Sequence, residues 1–152
     1  MKAIYFDMDG TIADLYGVDG WEARLQDADA TPYEVAAPLC DMSRLNDVCT
    51  KLQQLGYVIG VISWLAIGSD KDFDKATRKA KREWIAKHLP CVEEVHLVKY
   101  GTPKHYTCKV KDAVLVDDNK DVRDRWTRGE TINPTCEDVV EKLESYLNQQ
   151  AA

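Results

Sequence analysis

The sequence has no apolar run long enough to cross a bilayer. Its most apolar stretch, Tyr57 to Ile67, is eleven residues and contains Ser63, against roughly 20 for a spanning helix. No long apolar core precedes the charged residues that start at Asp7, so no secretory leader is expected and a cytoplasmic location is the default. There is no basic excess: 20 Lys plus Arg stand against 26 Asp plus Glu, a net charge of −6. That balance removes any broad electrostatic attraction to a nucleic-acid backbone, and leaves only a local basic pocket. The five cysteines, Cys40, Cys49, Cys91, Cys108 and Cys136, make no CxxC pair and no zinc spacing, so reduced thiols are expected. Internal repeats and low-complexity tracts are also lacking.

What remains is an ordinary globular composition, 45% hydrophobic and 30% charged over 152 residues, enough for one main core and too little for two. Short apolar runs at Ala3–Phe6, Val58–Ile62, Val95–Val98 and Ala113–Val116 read as buried strands. Three of them run directly into polar residues: Asp7 and Asp9, Ser63, and Asp117 with Asp118. Helical patterns lie between and after them. Leu45, Val48, Cys49, Leu52 and Leu55 share one face before Gly56, which supplies a C-terminal stop. Residues 72 to 89 form a charged helix with a packing stripe of Phe73, Ala76, Ala80, Trp84 and His88 or Leu89, ended by Pro90. The Lys75 to Lys87 charge run on that helix reads as a solvated face. A last helix is capped by Thr135 and buries Val139, Val140, Leu143 and Leu147.

Buried strands alternating with helices predict a three-layer α/β domain over residues 1–148 with a central parallel sheet, followed by a frayed tail at 149–152. Ligands gather at the strand C-termini of such sheets. Residues 14–38 interrupt the alternation. Gly17, Gly20, Pro32 and Pro38 mixed with Trp21, Leu25, Tyr33 and Val35 read as a small, partly helical lid or minimal cap, the alternative being a packed crossover that never meets substrate.

The chemistry lies at the strand ends. In Asp7-Met8-Asp9-Gly10-Thr11 two carboxylates flank one residue, and Gly10 permits a turn and close approach of an anion. Carboxylates crowded this way call for a hard cation, and magnesium suits their oxygens; Asp117 and Asp118 bring more oxygen ligands from another strand. Against a phosphate, Asp7 serves as nucleophile, and Asp9 as the acid toward the leaving alcohol and then the base toward water. Ser63 and the backbone N–H of Trp64 are phosphate donors, and Lys104 balances the charge of phosphate and carboxylates. Tyr16, Trp21 and Trp64 either line a base or aromatic leaving-group pocket or simply pack.

The ordered set Asp7-Met8-Asp9-Gly10-Thr11, Ser63, Lys104 and Asp117-Asp118 resembles the haloacid dehalogenase (HAD) superfamily, in particular its phosphatase branch. The resemblance implies a Rossmann-like HAD fold and a Mg2+-dependent phosphomonoester hydrolase working through an aspartyl-phosphate. Its implied roles fall on Asp7 (nucleophile), Asp9 (acid/base), Ser63 (phosphate), Lys104 (charge) and Asp117-Asp118 (metal), with Asp7 and Asp9 also in the metal set and Asp118 the direct late ligand. The runs Arg82–Leu89, Val95–Val98 and Leu115–Asn119 are similar to the 5′(3′)-deoxyribonucleotidase-like group, implying a nucleoside monophosphate or other small phosphate ester and a reduced cap. The segment 14–38 is short for that group's cap, and Trp64 stands where the group commonly has a small polar residue. The alternatives are a phosphatase for nucleic-acid ends or phosphoproteins, and an inactive metal-binding regulatory module.

Overall fold

The computed structural model describes residues 1–150. A five-stranded, wholly parallel sheet forms its centre. Its strands are β1 (Lys2–Phe6), β4 (Tyr57–Trp64), β5 (Glu94–Val98), β6 (Asp112–Val116) and β7 (Thr131–Ile132), in the order β5-β4-β1-β6-β7. The strand β1 is therefore the middle one, paired with β4 from Lys2↔Tyr57 to Phe6↔Val61 and with β6 from Lys2↔Asp112 to Phe6↔Val116. The four strands expected from the apolar runs are all present, and β7 is an addition. Two residues long, β7 is too short to show a periodic signal.

Alternation along β1 distributes its side chains between two cores. Ile4 and Phe6 face one with Leu45, Val48, Cys49 and Leu52 of α3 (Met42–Gln54) and Val139, Val140 and Leu143 of α7 (Val139–Gln150). Trp84, Ile85 and Leu89, in or just past α4 (Lys71–His88), join the same core. Ala3 and Tyr5 face the other, with Leu115, and with Val122 and Trp126 in or just after α6 (Lys120–Arg125). Period-2 strands that bury both faces between helices give the three layers expected.

Helix starts are fixed by aspartates: Asp41 accepts from Arg44 N at 3.0 Å and Asp70 from Phe73 N at 2.8 Å, filling N–H groups the helix itself leaves free. The last helix departs from expectation. Asp138, rather than Thr135, takes the Glu141 N–H at 2.9 Å, while the Thr135 hydroxyl turns to Asn133. The helix also runs through Gln150, so residues 149 and 150 are helical; the remainder of the expected tail, 151–152, lies outside the described residues.

Residues 14–38 hold a 3-10 turn at Leu15–Gly17, α1 (Trp21–Gln26), α2 (Thr31–Val35) and a short strand β3 (Ala37–Pro38) paired with β2 (Ala13–Asp14). Leu15 and Tyr33 pack in a separate small core with Phe73 and Ala80 of α4. That contact lays the segment over the C-terminal edge of the sheet. None of the described helices is long and apolar enough to cross a membrane.

Candidate active site

Three adjacent strands, β4, β1 and β6, deliver the polar residues. After β1 the chain wraps around the Met8 carbonyl, which accepts from Thr11 N at 3.2 Å and from Ile12 N and Ala13 N, each at 3.0 Å. The Met8 side chain is buried in the core, and Asp7 and Asp9 flank it at the mouth of the site. Gly10 has φ +79°, and a Cβ there would lie 2.5 Å from Asp118 Oδ2 and 2.7 Å from the Tyr16 ring. Only glycine meets both the backbone and the space requirement.

Asp7, Asp117 and Asp118 each place a carboxylate oxygen within 4.8 Å of the others. Lys104, in the single-turn helix α5 (Lys104–Thr107), donates to Asp7 Oδ1 and Asp117 Oδ2, both at 2.7 Å. Thr11 Oγ1 lies 3.0 Å from Asp7 Oδ2 and 3.2 Å from Asp118 Oδ1, and accepts the Asp118 N–H at 3.1 Å. Asn119 N donates to Asp117 Oδ1 at 2.9 Å. Three acids against one ammonium leave a net negative charge in a largely buried place, which is the donor set that a hard divalent cation fits.

The titration of the acids expresses the same crowding. Burial, then the charge of Asp7, pushes Asp117 up to about 6 and Asp118 up to about 7. Burial works against the Lys104 ammonium, but Asp7 and Asp117 more than offset it and the net shift is upward. Raised carboxyls contribute stability that is present below their ordinary range and lost as pH rises through 6 to 7, where repulsion appears and a cation relieves it. A cation must also displace protons at low pH. Binding of Mg2+ is therefore expected to weaken on the order of 10²–10³-fold from pH 8 to pH 5, with proton release at the lower pH. Calorimetry in two buffers of different ionisation enthalpy checks this; equal affinity at both pH values contradicts it.

Asp9 stands apart from that triad. Its Oδ2 accepts from Lys81 Nζ at 2.7 Å, and its Oδ1 is buried with no partner. Burial pushes its carboxyl up, opposed by the Lys81 charge. Lys81 also donates to Ser63 Oγ at 2.9 Å and to the Trp64 carbonyl at 2.8 Å. This residue is the main correction to the sequence reading: the charge run on α4 is solvated except at Lys81, which is fully buried. The inward stripe is Phe73, Thr77, Ala80, Lys81, Trp84 and Ile85, with Ala76 outside it. Helical spacing from Thr77 and Trp84 was the available signal, since residues three and four apart share a face.

Ser63 is fully buried at the end of β4 and is not among the residues lining the cavity over the site, whereas its neighbour Trp64 is. The Trp64 indole N–H donates to the Thr102 carbonyl at 2.8 Å, and its ring lies 5.5 Å from Lys104 Nζ. A cavity of about 470 Å3 opens over Asp7, Asp9, Lys104 and Asp118. Its walls include Tyr16 and Trp21 from the 14–38 segment, edge to face at 5.0 Å, and Trp64 and Tyr100, 4.9 Å apart. Trp84 and Trp126, expected to pack, are buried in the two cores.

Five parallel strands with helices on both faces make a three-layer, Rossmann-like α/β fold, with acids at the C-terminal ends of its central strands. Among solved structures the chain is similar to D,D-heptose 1,7-bisphosphate phosphatase from Burkholderia thailandensis, with TM-score 0.51, 15% identity, and coverage of 82% of this chain and 70% of that one. It is also similar to the D,D-heptose 1,7-bisphosphate phosphatase from B. bronchiseptica complexed with magnesium and phosphate, with TM-score 0.49, 15% identity, and coverage of 82% and 74%. No family model and no curated protein matches the chain.

Proposed function

We infer that the protein is a Mg2+-dependent HAD-type phosphomonoesterase working through an aspartyl-phosphate on Asp7, with a nucleoside monophosphate or similar small ester as substrate. The observation that carries the reading is Asp7 itself: a carboxylate held by Lys104 and Thr11, open to a cavity, with Asp9 two residues on. The fold shared with a sugar-bisphosphate phosphatase supports it.

Asp7, Asp117 and Asp118 would hold the cation. Asp118 would be the direct late ligand with Asp117 supporting it, because Asp117 is buried with both oxygens accepting, from Lys104 and Asn119, whereas Asp118 is only half-buried. When bound, Mg2+ supplies charge neutralisation at the phosphate oxygens. The chain's residues do the rest. Lys104 and Thr11 orient Asp7 toward phosphorus, and the Asp7–phosphorus bond forms as the ester bond breaks. The departing oxygen keeps the bonding pair and takes a proton from Asp9. Water then attacks phosphorus, gives its proton to Asp9, and the acyl-phosphate bond breaks with its electron pair returning to Asp7.

Residues 14–38 act as the minimal cap. The aromatic pairs on the cavity walls suit a flat group such as a nucleobase. Lys104 is the one basic residue among the lining side chains, with Glu22 opposing negative charge, which favours one phosphate over two. Free thiols suit a cytoplasmic setting.

Phosphate release from a panel of nucleoside monophosphates, sugar monophosphates and sugar bisphosphates, with Mg2+ or with EDTA, tests the reading. Release with Mg2+, its loss in EDTA, and higher kcat/KM for nucleotides are expected. Equal or better efficiency on sugar phosphates removes the nucleotide preference. No release by folded protein overturns the enzyme, and Mg2+ binding without turnover makes it a regulatory module.

A further inference from the structure

Burying an ammonium is strongly unfavourable unless its protons are satisfied. Lys81 is fully buried, and it satisfies all three: Asp9 Oδ2, Ser63 Oγ and the Trp64 carbonyl. The Tyr33 ring from α2 covers another side, its centroid 4.6 Å from Nζ. An ammonium has three donors and no acceptor, so Lys81 has none left for a phosphate. Lys104 differs, because it is committed to two acceptors, Asp7 and Asp117, and keeps one proton for substrate.

We propose that Lys81 is a positioning residue that aligns the acid/base Asp9 against Ser63 and the end of β4 as one unit. The inference rests on the phosphomonoesterase reading above and assigns atoms within it. Lys81 holds Asp9 Oδ2 and so fixes the orientation of the carboxyl that lines the cavity and exchanges the proton. The carboxyl gives that proton to the departing ester oxygen as the Asp7–phosphorus bond forms, and takes one from water as the acyl phosphate is hydrolysed. Lys81 also donates to Ser63 Oγ, which ties the ammonium to the buried end of β4. The Trp64 carbonyl anchors the unit to the end of β4, and Tyr33 joins it to the 14–38 segment.

General acid/base assistance is worth roughly 10²–10⁴-fold and matters most when the leaving group is poor. Lys81→Met, Asp9→Asn and the double variant are compared with Mg2+ on an aryl phosphate and an alkyl phosphate, with phospho-Asp7 trapped by acid quench. Lys81→Met is expected to lower kcat by about 10²-fold or more on the alkyl ester and by about tenfold or less on the aryl ester. Adding Lys81→Met to Asp9→Asn is expected to slow the alkyl reaction by no more than about threefold, since both changes disable one unit. Mg2+ affinity, measured by calorimetry, stays within about threefold of the parent because Lys81 touches none of the triad.

The double variant removes both charges and leaves no lone buried carboxylate. Should Lys81→Met alone prove too unstable, the comparison of Asp9→Asn with the double variant decides. Equal loss on both esters, or losses that multiply in the double variant, overturn the inference while the phosphatase stands. A parent protein inert on both esters overturns both.

Discussion

Asp7→Asn is expected to abolish phosphate release, by about 10⁴-fold or more, while the chain stays folded. The amide keeps the shape of the carboxylate and loses the charge that attacks phosphorus. It also removes the repulsion that helps raise Asp117 and Asp118, so both are expected to titrate closer to ordinary carboxylates. Two measurements check this together: turnover with Mg2+, and carboxyl titration by NMR in EDTA. Turnover near the parent value rules out Asp7 as nucleophile. An unchanged titration of Asp118 alongside lost turnover shows instead that the acids do not share one field.

Lys104→Met is expected to remove both activity and stability. Asp117 is 1% exposed and Asp7 8%, and without the ammonium each is a buried charge with its partner gone, a change of about 3–5 kcal/mol at pH 8 in EDTA. The loss shrinks toward pH 5, because Asp117, already pushed up to about 6, takes a proton and ceases to need a counter-charge. Mg2+ is expected to restore part of the stability at pH 8 without restoring turnover. Denaturant unfolding at both pH values measures this. A variant within about 1 kcal/mol of the parent at pH 8 shows that the pair contributes little.

The strands and the first-rank acids were legible in the sequence for one reason. A fully buried parallel strand must be an unbroken apolar run, so the point where it ends in Asp7 or Asp117 is conspicuous. Lys104 and Ser63 were found by their order relative to those ends. Lys81 was not, because in a helix rich in exposed lysine and arginine a single inward lysine differs from its neighbours only in phase. Shifting the stripe from Ala76 to Thr77 changes which residues point inward, and the polar partners that make burial tolerable, Asp9 and Ser63, are 72 and 18 residues away. Likewise Thr135 looked like a cap by spacing, but Asp138, three residues closer to the helix, accepts the free N–H.

The central placement of β1 carries a consequence for synthesis. This apolar strand is made before both of its neighbours, and one of them, β6, begins only at Asp112. Until β6 has been made, one flank of β1 has no mate, an exposure that invites holdase binding or misassembly. The acid cluster exists only once Asp117 and Asp118 have emerged, so nascent chains stalled earlier have nothing with which to grip an ion.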